Sequence, residues 1–150
     1  MVVLAIVAMA MTVVLPAVSA GLRHWRLQAS ARELVVLFKF ARNQAVAKRQ
    51  PLQVVLERTR SVYWLDRVGS GAAATLDEAE KKGIRLYALG SGVRFGDIVL
   101  DGYPANDEQV GLVFSPRGTT AEATVQLLGE GARAYRIRVD PVTGYARAVR

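Results

Sequence analysis

Cysteine is absent from all 150 residues, which excludes a disulfide framework and any thiolate metal site. Histidine occurs once, as His24. A Ser-His-acid arrangement finds no second element around it, and an interfacial polar residue is the simpler reading. Charge is missing from residues 1–22, "MVVLAIVAMAMTVVLPAVSAGL". Glycine and proline are missing between Leu22 and Gln50, so nothing there interrupts a helix. Acids are scarce in residues 23–50, where seven Lys and Arg face only Glu33, a balance of +6 within the overall +7. Residues 51–150 hold 13 basic and 12 acidic side chains and are nearly neutral. The basicity belongs to one segment, which weakens a whole-surface nucleic-acid reading.

The uncharged opening has three readings. As a helix, 22 residues at about 1.5 Å each reach about 33 Å, enough to cross a bilayer core of roughly 30 Å. A cleavable signal is favoured by the small residues of Val18-Ser19-Ala20, but it lacks a basic lead-in and its apolar run is long. A plain anchor meets the positive-inside rule, which sends Arg23 and Arg26 to the cytoplasm when the other flank is empty. The third reading is a segment that lives first in lipid and later in protein. Pro16 inside it removes one helix hydrogen bond, a loss best repaired by neighbouring helices.

Helical periodicity continues beyond the apolar run. Leu27, Ala31, Leu34, Val35, Phe38, Ala41 and Ala45 fall on one face, and Arg32, Lys39 and Asn43 on another, although Val36 and Phe40 intrude there. Pro51 ends the pattern. The spacing predicts one helix of about 45 to 50 residues, apolar all round in its first half and amphipathic in its second. The period then changes to two. "LQVVLE" and "SVYWLDR" read as a hairpin around Arg58-Thr59-Arg60, and six further short runs follow, from "IRLYAL" to "GYARAVR". A short helical turn is expected around Asp77–Lys82. The fold class is α+β: a long N-terminal helix whose amphipathic half packs on a small cap of antiparallel strands with one buried face.

Chemistry-bearing motifs are sparse. The two "GSG" stretches lack the lysine and spacing of a phosphate loop. Asp101, Asn106, Asp107 and Glu108 gather oxygens in "DGYPANDE" without a calcium-loop pattern, and a solvated loop accounts for them. At the C-terminus Arg133, Arg136, Arg138, Arg147 and Arg150 oppose Asp140. Arg136 and Arg138 share a face of an alternating strand, so a compact patch for DNA or for an acidic partner is a candidate. Tyr135 or Tyr145 offers a ring on which a base could stack.

The uncharged run leading into one long helix and a β-rich cap resembles the type IV pilin-like proteins. Two passages resemble their GspH/FimT group of minor pseudopilins and minor pilins: "LVVLFKFARNQAVAKRQPLQVVL" and "VFSPRGTT…ATVQL…YRIRVDPVTGYARAV". The resemblance implies an assembly protein with no turnover chemistry and no cofactor. It implies a transmembrane and filament-core half at 1–22, an amphipathic half of the same helix at 23–50, and a periplasmic antiparallel β domain at 51–150. Leu4, Ala8, Met11, Leu15 and Pro16 then serve membrane residence and filament packing, and Leu34, Phe38, Ala41 and Ala45 fix the helix to the cap. The partners implied are other minor pseudopilins, the major pseudopilin, the bacterial inner membrane before assembly, and exported substrate. Nucleic acid enters only through the alternative of a FimT-like pilin that binds DNA at the C-terminal arginines. The group's basic leader, N-methylated phenylalanine and glutamate have no counterpart here, and aligning Pro16 with the group's helix proline places them upstream of Met1.

Overall fold

The structure, a computed structural model, describes residues 2–69, 75–131 and 133–149, with helix side chains at Gly21 and from His24 onward. Helix α1 spans Val2–Lys48, 47 residues, within the expected length of about 45 to 50. It ends in a two-bond cap: Arg49 N–H donates to Val46 O at 3.3 Å and Gln50 N–H to Ala45 O at 3.2 Å. Arg49 sits at φ 51°, where glycine is usual, and Pro51 follows to stop the helix. Leu4, Ala8, Met11, Leu15 and Pro16 have their side chains outside the described residues. Among the described residues no helix is long and apolar enough to cross a membrane.

Among the described residues nine short strands follow, β1 Leu52–Glu57, β2 Val62–Arg67, β3 Leu86–Ala88, β4 Arg94–Leu100, β5 Tyr103–Pro104, β6 Gln109–Phe114, β7 Ala123–Leu128, β8 Ala134–Val139 and β9 Ala146–Val149, with helix α2 at Leu76–Lys81 between β2 and β3. The sequence leads one to expect a single sheet; the strands form two antiparallel ones, in the orders β3-β2-β1-β6 and β5-β4-β7-β8-β9. The chain changes sheet at residues 89–93, 105–108 and 115–122. Gly92 and Gly118 make two of these corners at φ +78° and +83°, a conformation glycine adopts without steric cost. Strand β5 was not foreseen; it lies inside the stretch read as a solvated loop.

Helix α1 and both sheets share one core. Leu27, Ala31, Leu34, Phe38, Ala41 and Ala45 meet Leu56, Leu112 and Phe114 of the first sheet and Leu127, Ile137 and Val139 of the second. Leu34, Phe38, Ala41 and Ala45 are fully buried. The small alanines let the helix backbone approach the sheets, and Phe38 fills the space with its ring 6.1 Å from that of Phe114. A second cluster sits behind the first sheet, where Val55 and Trp64 are covered by Leu76 and Ala79 of α2. Strand β1 is therefore buried along its whole length, not on one face only, in keeping with its nearly continuous apolar run. Thr75 caps α2 by accepting from Glu78 N–H at 3.3 Å.

Tyr63 carries a pH signature. Burial first, then the nearby charge of Glu33 and the neighbouring Tyr87, push its phenol up to about 12. The unfolded chain releases that proton near pH 10, so between pH 10 and 12 the unfolded state binds fewer protons and folding stability falls as pH rises. Relative to a Tyr63→Phe variant, the wild type is expected to lose roughly 2 to 3 kcal/mol across that window, and denaturant titrations at both ends would measure it. Parallel curves for the two proteins would refute the assignment.

Candidate assembly face

The outward side of α1 is unusually apolar for a helix already packed on a cap. Val36 is 64% exposed and Phe40 49% exposed. Their spacing of four puts them on one stripe. Beside them the chain leaves a groove of about 720 Å³ between α1 and the β2–β3 pair, lined by Val36, Leu37, Phe40, Tyr63 and Tyr87, with Arg32, Glu33 and Arg85. Tyr63 and Tyr87 are stacked with centroids 5.6 Å apart, and the Arg85 guanidinium lies 5.4 Å from the Tyr87 ring centre. Among the described residues strand β3 is a sheet edge with β2 as its neighbour. The groove thus has an aromatic floor, an open strand edge and both charge signs within reach. Val36 and Phe40, which interrupted the polar face in the sequence, form its helical wall.

The end of α1 and two turns far away in sequence converge on Arg42. Its Cζ lies 4.6 Å from the Tyr145 ring centre, and its Nη1 donates to Asn43 Oδ1 at 3.4 Å. Its Nε is buried with no hydrogen-bond partner among the described residues. The guanidinium rests against two backbone turns with no room for a side chain. A Cβ at Gly118 would stand 3.2 Å from Nη2, and one at Gly144 would stand 2.9 Å from Cδ. The second turn is shaped by Asp140, whose Oδ1 accepts from Val142 N–H at 3.0 Å, Thr143 N–H at 2.8 Å and the Thr143 hydroxyl at 2.9 Å. These bonds, led by the Thr143 amide and then its hydroxyl, hold the Asp140 carboxyl below the usual carboxylate range. Arg42 thereby ties the end of α1 to the β6–β7 and β8–β9 turns. Its contact with Tyr145, and the need for Gly118 and Gly144, were not readable from spacing alone.

A family model described as "Type II transport protein GspH" matches residues 30–144. The chain belongs to the GspH family. The match takes in α1 from Ser30 onward, strands β1 to β8 and the Gly118 and Gly144 turns that close on Arg42, while Tyr145 and β9 lie beyond it. No curated protein sequence matches the chain. Among solved structures, the minor pseudopilin EpsH from the type 2 secretion system of Vibrio cholerae aligns at 13% identity with a TM-score of 0.61, covering 83% of this chain and 95% of that one. The type IV minor pilin FimU of Pseudomonas aeruginosa aligns at 18% identity with a TM-score of 0.58, covering 83% and 88%. At these identities the likeness is one of fold. GspH-family proteins are structural, non-enzymatic components.

In this GspH-family chain Arg136, Arg138 and Arg147 come together on the outer face of β8 and β9, whereas Arg133 lies apart from them. Arg136, Arg138 and Arg147 are exposed, and Arg138 pairs with Arg147 in the β8–β9 register. Arg138 donates from Nη2 to Glu122 Oε1 at 2.7 Å, and Asp140 feels the charge of Arg147. Arg133 lies before the start of β8, beside His24, about 17 Å from Arg138 at strand rise. Arg150 is outside the described residues. The oxygen-rich loop also has a structural use, since Asp101 Oδ1 accepts from Glu122 N–H at 2.9 Å. Among the described residues no group of three His, Cys, Asp or Glu side chains could hold a metal ion.

Proposed function

We propose that this chain is a minor pseudopilin at the tip of a type II secretion pseudopilus, supporting protein export across the outer membrane. In this reading residues 1–22 hold the chain in the bacterial inner membrane as a single span. Residues 23–50 join that span to the cap, and residues 51–150 form the periplasmic cap. Assembly moves the apolar half from lipid into a bundle of pilin-like subunits. The exchange is between two apolar environments, so packing and a few polar contacts decide its direction. Family membership over residues 30–144 supports the reading, and the observation that carries it is the exposed Val36 and Phe40 beside an apolar groove. We assign them a neighbouring pilin-like subunit as occupant, because they lie on the same helix as the uncharged run that packs into the filament in this reading. Other minor pseudopilins and the major pseudopilin are the partners, and exported substrate meets the loops of the cap.

A DNA-binding pilin has weaker support. Arg138 is paired with Glu122 and Arg133 stands apart from Arg136, Arg138 and Arg147, which spreads the cations available for phosphate contacts.

The test of the anchor is an Arg placed at Ala8. A cation at mid-helix costs about 2.5 to 3.5 kcal/mol on insertion scales, so membrane-bound chain should fall about 100-fold. Membrane fractionation of cells expressing Ala8→Arg reads this directly. Wild-type retention in the membrane would remove the anchor from the reading.

A further inference from the structure

At the end of the cap nearest the uncharged run, groups from two distant parts of the chain come together. Trp25 is 73% exposed, Arg26 is exposed and His24 half-buried. His24 meets Tyr135, with ring centroids 6.3 Å apart. His24, Arg133, Ala134 and Tyr135 line a shallow depression of about 390 Å³. Arg133 is brought there by the β7–β8 turn, which Gly129 N–H closes on Arg133 O at 2.9 Å. Gly131 bends that turn at φ +76°. The turn presses on the helix, since a Cβ at Gly129 would stand 3.1 Å from Leu27 Cδ2. Leu27 is only three residues beyond His24, so the turn lies level with the first polar residues after the uncharged run. Glu130, the acid of this turn, folds back on Gly92, its Oε1 2.8 Å from where a side chain there would begin.

We propose that this end of the cap is a seat for an anionic lipid surface, so that the cap as well as the helix bears on the membrane. The inference rests on the membrane-anchored reading above. An exposed Trp directly after an apolar run is the side chain that favours the headgroup layer. Arg26 follows it on α1 and Arg133 lies beside His24 on the β7–β8 turn, and each cation near an anionic surface strengthens binding about fivefold. Two elements touching one plane fix the orientation of the cap, which a helix alone would leave free to rotate. The seat must then be released when the subunit is drawn into a filament.

Because the chain has no cysteine, a single Ala134→Cys carries an environment-sensitive fluorophore without ambiguity; Val142→Cys, at the opposite end of β8, is the control. The full chain is reconstituted into vesicles containing phosphatidylglycerol or made of phosphatidylcholine alone. The position-134 label should shift to the blue and be quenched by brominated lipid only in the anionic vesicles, and 1 M salt should abolish this. Adding Arg133→Ala or Arg26→Ala should lower the seated-to-lifted ratio about fivefold each. The position-142 label should not respond. If the chain floats with the vesicles but the position-134 label ignores lipid charge, the seat is wrong and the anchor stands. If the label is shielded only when two chains can be cross-linked there, the surface belongs to a protein neighbour and the seat is again wrong. A chain that does not float with vesicles overturns both.

Discussion

Gly144→Ala is expected to unfold the cap at a temperature lower by on the order of 15 °C, about 3 to 4 kcal/mol of stability for a domain of this size. Two costs add. The residue sits at φ +65°, where an alanine is strained by about 1 to 2 kcal/mol. Its Cβ would also run into the carbonyl oxygen of Gly118 and stand 2.9 Å from Arg42 Cδ. Backbone cannot swing aside as a flexible side chain can, so overpacking adds about 1 to 3 kcal/mol. Gly102→Ala separates the two. It has φ +83° and nothing within 4 Å of the added Cβ, so it carries the strain alone and should cost about 1 kcal/mol. Thermal unfolding followed by near-ultraviolet circular dichroism compares them. Equal midpoints for the two variants would show that the Arg42 junction is not tightly packed.

That junction marks the border of what the sequence makes legible. Helix α1 was readable because twenty-nine uninterrupted residues from Leu22 to Gln50 carry one period and Pro51 ends it. Strands β1 and β2 were readable because Glu57 and Ser61 bracket a short polar turn; its Thr59 and Arg60 amides bond the Glu57 carboxylate at 3.0 and 2.8 Å. Division into two sheets was not, because strands of two to seven residues look alike whichever sheet they join. The partners of Arg42 were hidden for a related reason. Gly118 and Gly144 lie 76 and 102 positions away in sequence, and only the crossing of β6 to β7 brings the two turns together. Ser30 gives a smaller example: it reads as one more polar residue on a helix, yet it is buried and its Oγ accepts Gly90 N–H at 2.9 Å, pinning the first sheet-changing corner to α1.

The assembly face was half legible, since Val36 and Phe40 stood out against the polar side of α1 while their groove could not be inferred. Replacing both with arginine should reduce co-assembly with partner pseudopilins about 100-fold or more, because an unpaired charge shut inside an interface costs about 3 to 5 kcal/mol. The isolated fold should hardly notice. Val36 is largely and Phe40 about half in water already, and substitutions at exposed sites usually stay within about 0.5 kcal/mol. This contrast of lost assembly with an unchanged melting temperature separates an interface from a structural role. Asn43→Arg, on the exposed polar side of the same helix, controls for added charge and should assemble normally. Site-specific cross-linking in cells expressing the full secretion apparatus would measure all three. If the double variant assembles as the wild type does, the subunit contact lies elsewhere on the cap, and the groove beside Tyr63 and Tyr87 loses its assigned occupant.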